Sequence, residues 1–207
     1  MDFKNKLTKI KNKIGINKKK KRNTICIVGM SAGIGVTHTS IALANYLHSV
    51  QRKNVVYIEL TDQSCLMQMF DGSRGVIKGI PTCKYKGVDY ITNCTVREAG
   101  QILAFCKEDV IVDMKELTDE TKDIFLQCDT KIVVGSLQPW LENKCVNYIR
   151  KILKICDAKI IKWVTINKIN KKKNYILSRL SWRYMPYIEN PFLLEEEHFE
   201  KLHNIIA

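Results

Sequence analysis

The sequence turns on a glycine-rich segment, Gly29-Met30-Ser31-Ala32-Gly33-Ile34-Gly35-Val36-Thr37-His38-Thr39. It follows an apolar run at 24–29 (TICIVG) that reads as a buried strand, and it precedes 37–50, where Leu43, Leu47 and Val50 share one helical face. A strand that passes through such a turn into a helix suits phosphate. Glycines let backbone amides approach the oxygens, and the helix N-terminus presents its positive end to the anion. A hydroxyl at the start of the helix is the group that holds magnesium in loops of this kind. Gly33, Gly35 and Thr37 supply these elements; Ile34, Val36 and His38 complete the loop, with His38 placed to contact phosphate. The lysine that precedes the Ser/Thr of a standard phosphate loop is missing, because Val36 holds its position. Tight packing of backbone on backbone is the competing explanation of the same glycines.

Apolar runs and helical patterns alternate downstream. Strands are expected at 55–60, 89–92, 109–114, 131–137, 159–167 and 184–188, and helices at 96–106, 119–127, 140–155 and 172–182. Asn190 is expected to cap a last helix, with Pro191 in its first turn and Glu195, Glu196 and Glu197 close behind. The stretch 61–95 is broken by Gly72, Gly75, Gly79, Pro81 and Gly87, and only a short helix near 65–70 is expected before the 89–92 strand. The alternation predicts an α/β fold, a mostly parallel sheet flanked by helices on both faces. With 207 residues, 45% of them hydrophobic, the chain can bury one such core. No apolar run approaches the roughly 20 residues that a membrane-spanning helix needs. The eight cysteines are never closer than 11 residues apart, which excludes a short zinc knuckle, and several sit in apolar runs as buried, reduced thiols. The four histidines have no metal-ligand spacing either.

The order of elements over 23–190 resembles the deviant P-loop ATPases of the ParA/MinD type. Their loop reads Lys-Gly-Gly-x-Gly-Lys-Thr-Thr, and Ser31–His38 aligns with it without a gap. Glu59-Leu60-Thr61-Asp62-Gln63 takes the place of the Asp-x-Asp that ends the second strand in that family. Asp113 matches the strand-end aspartate near magnesium, Asn167 the asparagine beside the nucleotide base, and Met185-Pro186-Tyr187 the closing strand with its proline. The resemblance implies ATP and magnesium as ligands, with Thr37 and Asp113 at the metal. The departures fall on catalytic positions. Both family lysines are lost, to Ser31 and Val36; Thr61 replaces the acid of the hydrolytic switch; and Met114-Lys115-Glu116 follows Asp113 where a glycine is usual. Without positive charge to offset the developing phosphate charge, ATP binding is expected to be weak or absent and efficient hydrolysis is not expected. Within the class, 33–39, the run 133–140 and the ending 186–192 look most like TadZ/CpaE-type proteins, which implies pilus or secretion assembly proteins as partners. Whether the chain forms a homodimer around nucleotide stays open.

The net charge of +13 is unevenly spread. Residues 1–22 carry nine lysines and Arg22 against Asp2 alone, so this leader holds +9 and the domain at 23–207 only +4. Phe3, Leu7, Ile10 and Ile14 lie on one side of a helix with lysines around them, and Lys18, Lys19, Lys20 and Lys21 follow. A cationic amphipathic helix suits an anionic membrane surface, which places the chain in the cytoplasm, peripheral at the inner face of the cell membrane. Nonspecific nucleic-acid binding by an otherwise ParA-like partitioning ATPase is the alternative. A solvated tail packed on its own domain is the bland one. A second basic cluster, Lys168 and Lys171–Lys173, offers a substitute cation to phosphates or is simply a solvated loop.

Overall fold

The computed structural model describes residues 22–64, 66–70, 74–167 and 175–207. The leader up to residue 21, with its membrane-facing Phe3, Leu7, Ile10, Ile14 and Lys18–Lys21, lies outside them, as do Lys168 and Lys171–Lys173. Among the described residues there are strands β1 (Thr24–Gly29), β2 (Val55–Leu60), β3 (Arg74–Ile77), β4 (Ile80–Tyr85), β5 (Val88–Cys94), β6 (Asp109–Asp113), β7 (Thr130–Gly135), β8 (Ile161–Thr165) and β9 (Trp182–Tyr184). The helices are α1 (Val36–Ser49), α2 (Val96–Phe105), α3 (Lys122–Gln127), α4 (Glu142–Leu153), α5 (Tyr175–Ser178) and α6 (Glu196–Ile206). The strands form one sheet in the order β3-β4-β5-β2-β6-β1-β7-β8-β9, parallel from β5 to β9.

The centre of the sheet follows from its composition. Runs such as Ile25-Cys26-Ile27-Val28 and Val110-Ile111-Val112 are apolar and mostly β-branched, and β1, β2 and β6 are buried at every position. Strands without a polar alternation need cover on both faces, as a parallel sheet with crossover helices provides. Burying one such side chain is worth about 1.5–3 kcal/mol. That drive carries two acids inside at the strand ends, Glu59 and Asp113. Helix α1 is buried on the predicted Leu43–Leu47–Val50 face and on its other side as well, because α6 packs over it: the Tyr46 ring lies 6.3 Å from Phe199 and 6.5 Å from His203.

The broken stretch 61–95 folds differently from its reading. A three-residue helical turn at Met67–Met69 matches the expected short helix, but 74–94 is a meander in which β4 runs antiparallel to both β3 and β5. Two-residue Lys-Gly turns join the strands, with φ of +53° and +83° at Lys78 and Gly79 and of +47° and +84° at Lys86 and Gly87. Positive φ at both central residues matches the twist of a hairpin. Both turns are X-Gly dipeptides, a pattern that breaks a run of helix or strand and also suits a two-residue hairpin.

Three further expectations are corrected at the C-terminal end. The 172–182 helix is reduced to Tyr175–Ser178 among the described residues. The final strand begins at Trp182 instead of 184, because Trp182 pairs with Trp163 and their rings pack 5.9 Å apart. Asn190 does not cap a helix. Its side chain accepts from Phe192 N–H at 3.0 Å and its carbonyl from Leu193 N–H at 2.9 Å, closing a turn. The helix starts after Glu195, whose backbone N–H donates to His198 Nδ1 at 3.1 Å.

Candidate functional site

Because β1 lies between β6 and β7, the chain leaves β1 at the point where the strand order reverses, and a crevice opens there beyond the strand ends. The loop 29–35 fills this point. Gly29 N–H donates to Lys115 O at 2.8 Å and Met30 N–H to Val134 O at 3.0 Å, so the loop is pinned to both neighbouring strands. Gly29 has no room for a side chain: a Cβ there would stand 2.5 Å from Ile34 and 2.6 Å from Val36. Gly35 takes a left-handed φ of +93° and starts α1, whose N-terminus has no side-chain cap and no acid in its first turn. Its first amides are therefore left for an acceptor outside the helix.

Those amides face a cavity of about 520 Å³ lined by the loop, Thr37, His38, Lys115 and Glu116. A second cavity of about 330 Å³ shares Gly33, Gly35 and His38 with the first and extends to Ile166 and Tyr184–Ile188. Both volumes fall in the range of about 300–1,000 Å³ usual for small-molecule sites. The shared residues join the two into one continuous crevice.

Glu59, next to last in β2, and Asp113, last in β6, sit at matched positions of the parallel register, both fully buried. Asp113 accepts from Tyr57 O–H at 2.9 Å and from Lys115 N–H at 3.1 Å, and the Thr37 hydroxyl lies beside it. Burial pushes the Asp113 carboxyl above its ordinary range, against the pull of the Thr37 and Tyr57 hydrogen bonds and of Lys115. Burial also raises Glu59, opposed by the Ser64 hydroxyl and Lys115. Glu59 Oε1 accepts no hydrogen bond and faces Lys115 Nζ at 3.6 Å. The same ammonium donates to Thr61 Oγ1 at 3.0 Å and to Gln63 O at 3.5 Å. Tyr57 is raised well above the usual phenol range by burial and by Asp113.

The structure brings together most of the residues expected from sequence. Gly33, Gly35, Val36, Thr37 and His38 line the first cavity, Ile34 the second, and Asp113 lies beneath Thr37. Val36 is buried and supplies no charge. Burial lowers the His38 pKa, against the opposing pull of the nearby Ile188 backbone. Asn167 follows β8, and Ser136 Oγ–H donates to its side-chain oxygen at 2.8 Å; its neighbour Ile166 is the residue that lines the cavity. Lys115 and Tyr57 were not expected at the site. The signal for Lys115 was a basic residue where the family pattern has glycine. Tyr57 sits in an apolar run and carries no sequence signal.

The arrangement can accept a phosphate chain on the α1 amides, with Thr37 and Asp113 as oxygen donors of the kind magnesium prefers. An uncapped helix end over an open cavity, with a hydroxyl–carboxylate pair beneath it, fits such a group. Among the described residues no group of three or more His, Cys, Asp or Glu side chains could hold a metal ion.

No family model matches the chain, and no curated protein matches it. Solved structures do. A ParA family ATPase from Chlorobium tepidum TLS superposes with a TM-score of 0.63 at 12% identity, covering 89% of this chain and 90% of that one. A putative plasmid partition protein from Borrelia burgdorferi B31, bound to AMPPNP, gives 0.62 at 16% identity over 90% and 97%. The MinD cell division protein of Aquifex aeolicus gives 0.61 at 12% identity over 88% and 94%. The chain shares the fold of these proteins.

Proposed function

We propose that this protein binds ATP with magnesium in the crevice above β1 and hydrolyses it slowly or not at all. The observation that carries the reading is the uncapped N-terminus of α1, with Thr37 in its first turn and the fully buried Asp113 beneath it, in a loop with no lysine. Backbone amides of the loop and of the first turn of α1 hold the phosphates. Thr37 and Asp113 hold magnesium, which would neutralise charge between phosphate oxygens. Tyr57 O–H and Lys115 N–H fix the Asp113 carboxylate in orientation. The second cavity, between Ile166 and Met185–Ile188, takes the base side. Ser31 and Val36 in the loop, Thr61 after β2 and the exposed acid Glu116 on the rim all weaken support for a departing phosphoryl group.

In this reading the nucleotide is a signal. The protein acts at the cytoplasmic face of the membrane as a positioning or assembly factor for a pilus or secretion apparatus, held there by the leader. Its motivation is the apolar stripe Phe3–Leu7–Ile10–Ile14, which plain phosphate binding does not need. Among the described residues no helix is long and apolar enough to cross a membrane. A second reading, a DNA-partitioning ATPase, draws on the +9 leader and on the likeness to a plasmid partition protein. It predicts salt-sensitive, ATP-dependent retention of DNA without preference for anionic lipid. Thermal unfolding tests the site itself. Ligand that binds only the folded chain raises Tm, so ATP with magnesium is expected to raise it for the natural protein and not for Asp113→Ala. An equal rise in both sinks the assignment of the metal pair.

A further inference from the structure

A phosphate site needs positive charge beyond backbone amides, and the loop provides none: Ser31 and Val36 occupy the positions where a lysine is expected. The crevice adds negative charge of its own, with Asp113 beneath Thr37, Glu59 beside it, and Glu116 lining the cavity. Among the described residues lining either cavity, Lys115 is the only lysine or arginine.

Its backbone is fixed from two sides. The Lys115 carbonyl accepts from Gly29 at the root of the loop, and its N–H donates to Asp113. The residue is held at a φ of +53°, a conformation uncommon for a residue with a side chain, so the fold specifies where this lysine leaves the chain. The ammonium end is not fixed in the same way. Its side chain is 41% exposed, its ion pair to Glu59 spans 3.6 Å, and its other contacts are a hydroxyl and one long bond to a carbonyl. These contacts can be exchanged for stronger ones. A charge-assisted hydrogen bond to a phosphate oxygen is stronger than a bond to a neutral hydroxyl.

We propose that Lys115 replaces the missing loop lysine: with ATP in the crevice, its ammonium leaves Glu59 and Thr61 and contacts the terminal phosphate. The cation has moved from the loop after β1 to the loop after β6. This rests on the nucleotide reading above and names the group that makes it electrostatically workable. The exchange also gives up the tie between Lys115 and residues 61–63, so the segment after β2 senses whether a terminal phosphate is present.

Calorimetric titration of the full-length chain with magnesium-ATP and with magnesium-ADP, for the natural protein, Lys115→Gln and Lys115→Arg, tests this. Circular dichroism confirms that each variant is folded, and the Arg variant keeps the charge if Gln disturbs the loop. Lys115→Gln is expected to weaken ATP binding about tenfold or more, to weaken ADP binding less, and Lys115→Arg to recover most of the loss. ATP affinity unchanged in Lys115→Gln, or equal losses for ATP and ADP, overturns the role of Lys115 while leaving the nucleotide site standing. A natural protein that binds neither nucleotide overturns the site and this role together.

Discussion

Glu59 and Asp113 face each other across the β2–β6 register, both fully buried at the ends of apolar strands. Among the described residues, the only ammonium within ion-pair distance of either is that of Lys115, at 3.6 Å from Glu59. Two carboxyls and one cation under a helix N-terminus make a site that is electrostatically unsatisfied when empty. Both carboxyls are pushed up by burial, so the empty protein holds charge there at a cost in stability. A group that brings positive charge to Asp113 relieves that cost, which is why we read the pair as a binding device and not a structural one.

The pH dependence of stability follows with a definite sign. A carboxyl whose pKa is raised on folding binds its proton more tightly in the native state. Its stabilising effect is present below the unfolded pKa and is lost as pH rises through the folded value. Asp113→Asn removes this liability and is expected to unfold at a higher temperature than the natural chain at pH 7. The difference should narrow as pH falls and the natural carboxyl, raised by burial, takes up its proton. A lower melting temperature for Asp113→Asn, with no dependence on pH, would contradict the assignment.

Gly29 is where loop packing is tightest, and Gly29→Ala places a Cβ within 2.6 Å of both Ile34 and Val36. Overpacking of this kind costs about 1–3 kcal/mol. Chemical denaturation should show that loss in the midpoint with an unchanged slope. A neutral Gly29→Ala contradicts close seating of the loop on Ile34 and Val36.

The fold was legible because its signals are continuous. The apolar runs of β1, β2 and β6 and the glycine turn into α1 stand out without any tertiary context. The meander at 74–94 was not legible. Its two turns are Lys-Gly dipeptides in a stretch with Pro81 and several other glycines, and register between short strands is settled by pairing that no local pattern encodes. At the site, the spacing of the glycine loop ahead of a helix pointed to Thr37, whereas Asp113 was singled out only by the resemblance to the ParA/MinD-type ATPases, which implies a strand-end aspartate there. Tyr57 reaches Asp113, and the Lys115 ammonium reaches Glu59 and Thr61, only through the side-by-side placement of β2, β6 and the loop that follows β6. That placement is tertiary.

If the cation has moved, it can be moved back. Val36→Lys in the Lys115→Gln background is expected to restore much of the lost ATP affinity. It should also lower stability, since Val36 is buried against the end of β1. Titration and thermal melts of the single and double variants measure both effects. Failure of Val36→Lys to restore binding, in a variant shown to be folded, argues against a simple exchange of one lysine for another.

The leader makes an independent prediction. Sedimentation with vesicles containing anionic lipid should pellet the full chain and leave a shortened chain starting at Asn23 in the supernatant. Raising salt should weaken pelleting, because the Lys18–Arg22 run contributes a screened attraction. Equal pelleting of the two chains refutes anchoring. Retention of DNA by the full chain, with no preference for anionic lipid, favours the partitioning reading.

The central claim is a nucleotide site that binds without efficient turnover. Its most direct test is a calorimetric titration of the full chain with ATP and magnesium, followed by analysis of the nucleotide recovered from the cell. Saturable heat that depends on magnesium is expected, with ATP recovered largely intact. No heat of binding contradicts the site, and recovery of ADP at the turnover of an intact ATPase of this fold, abolished by Asp113→Ala, contradicts its degeneracy.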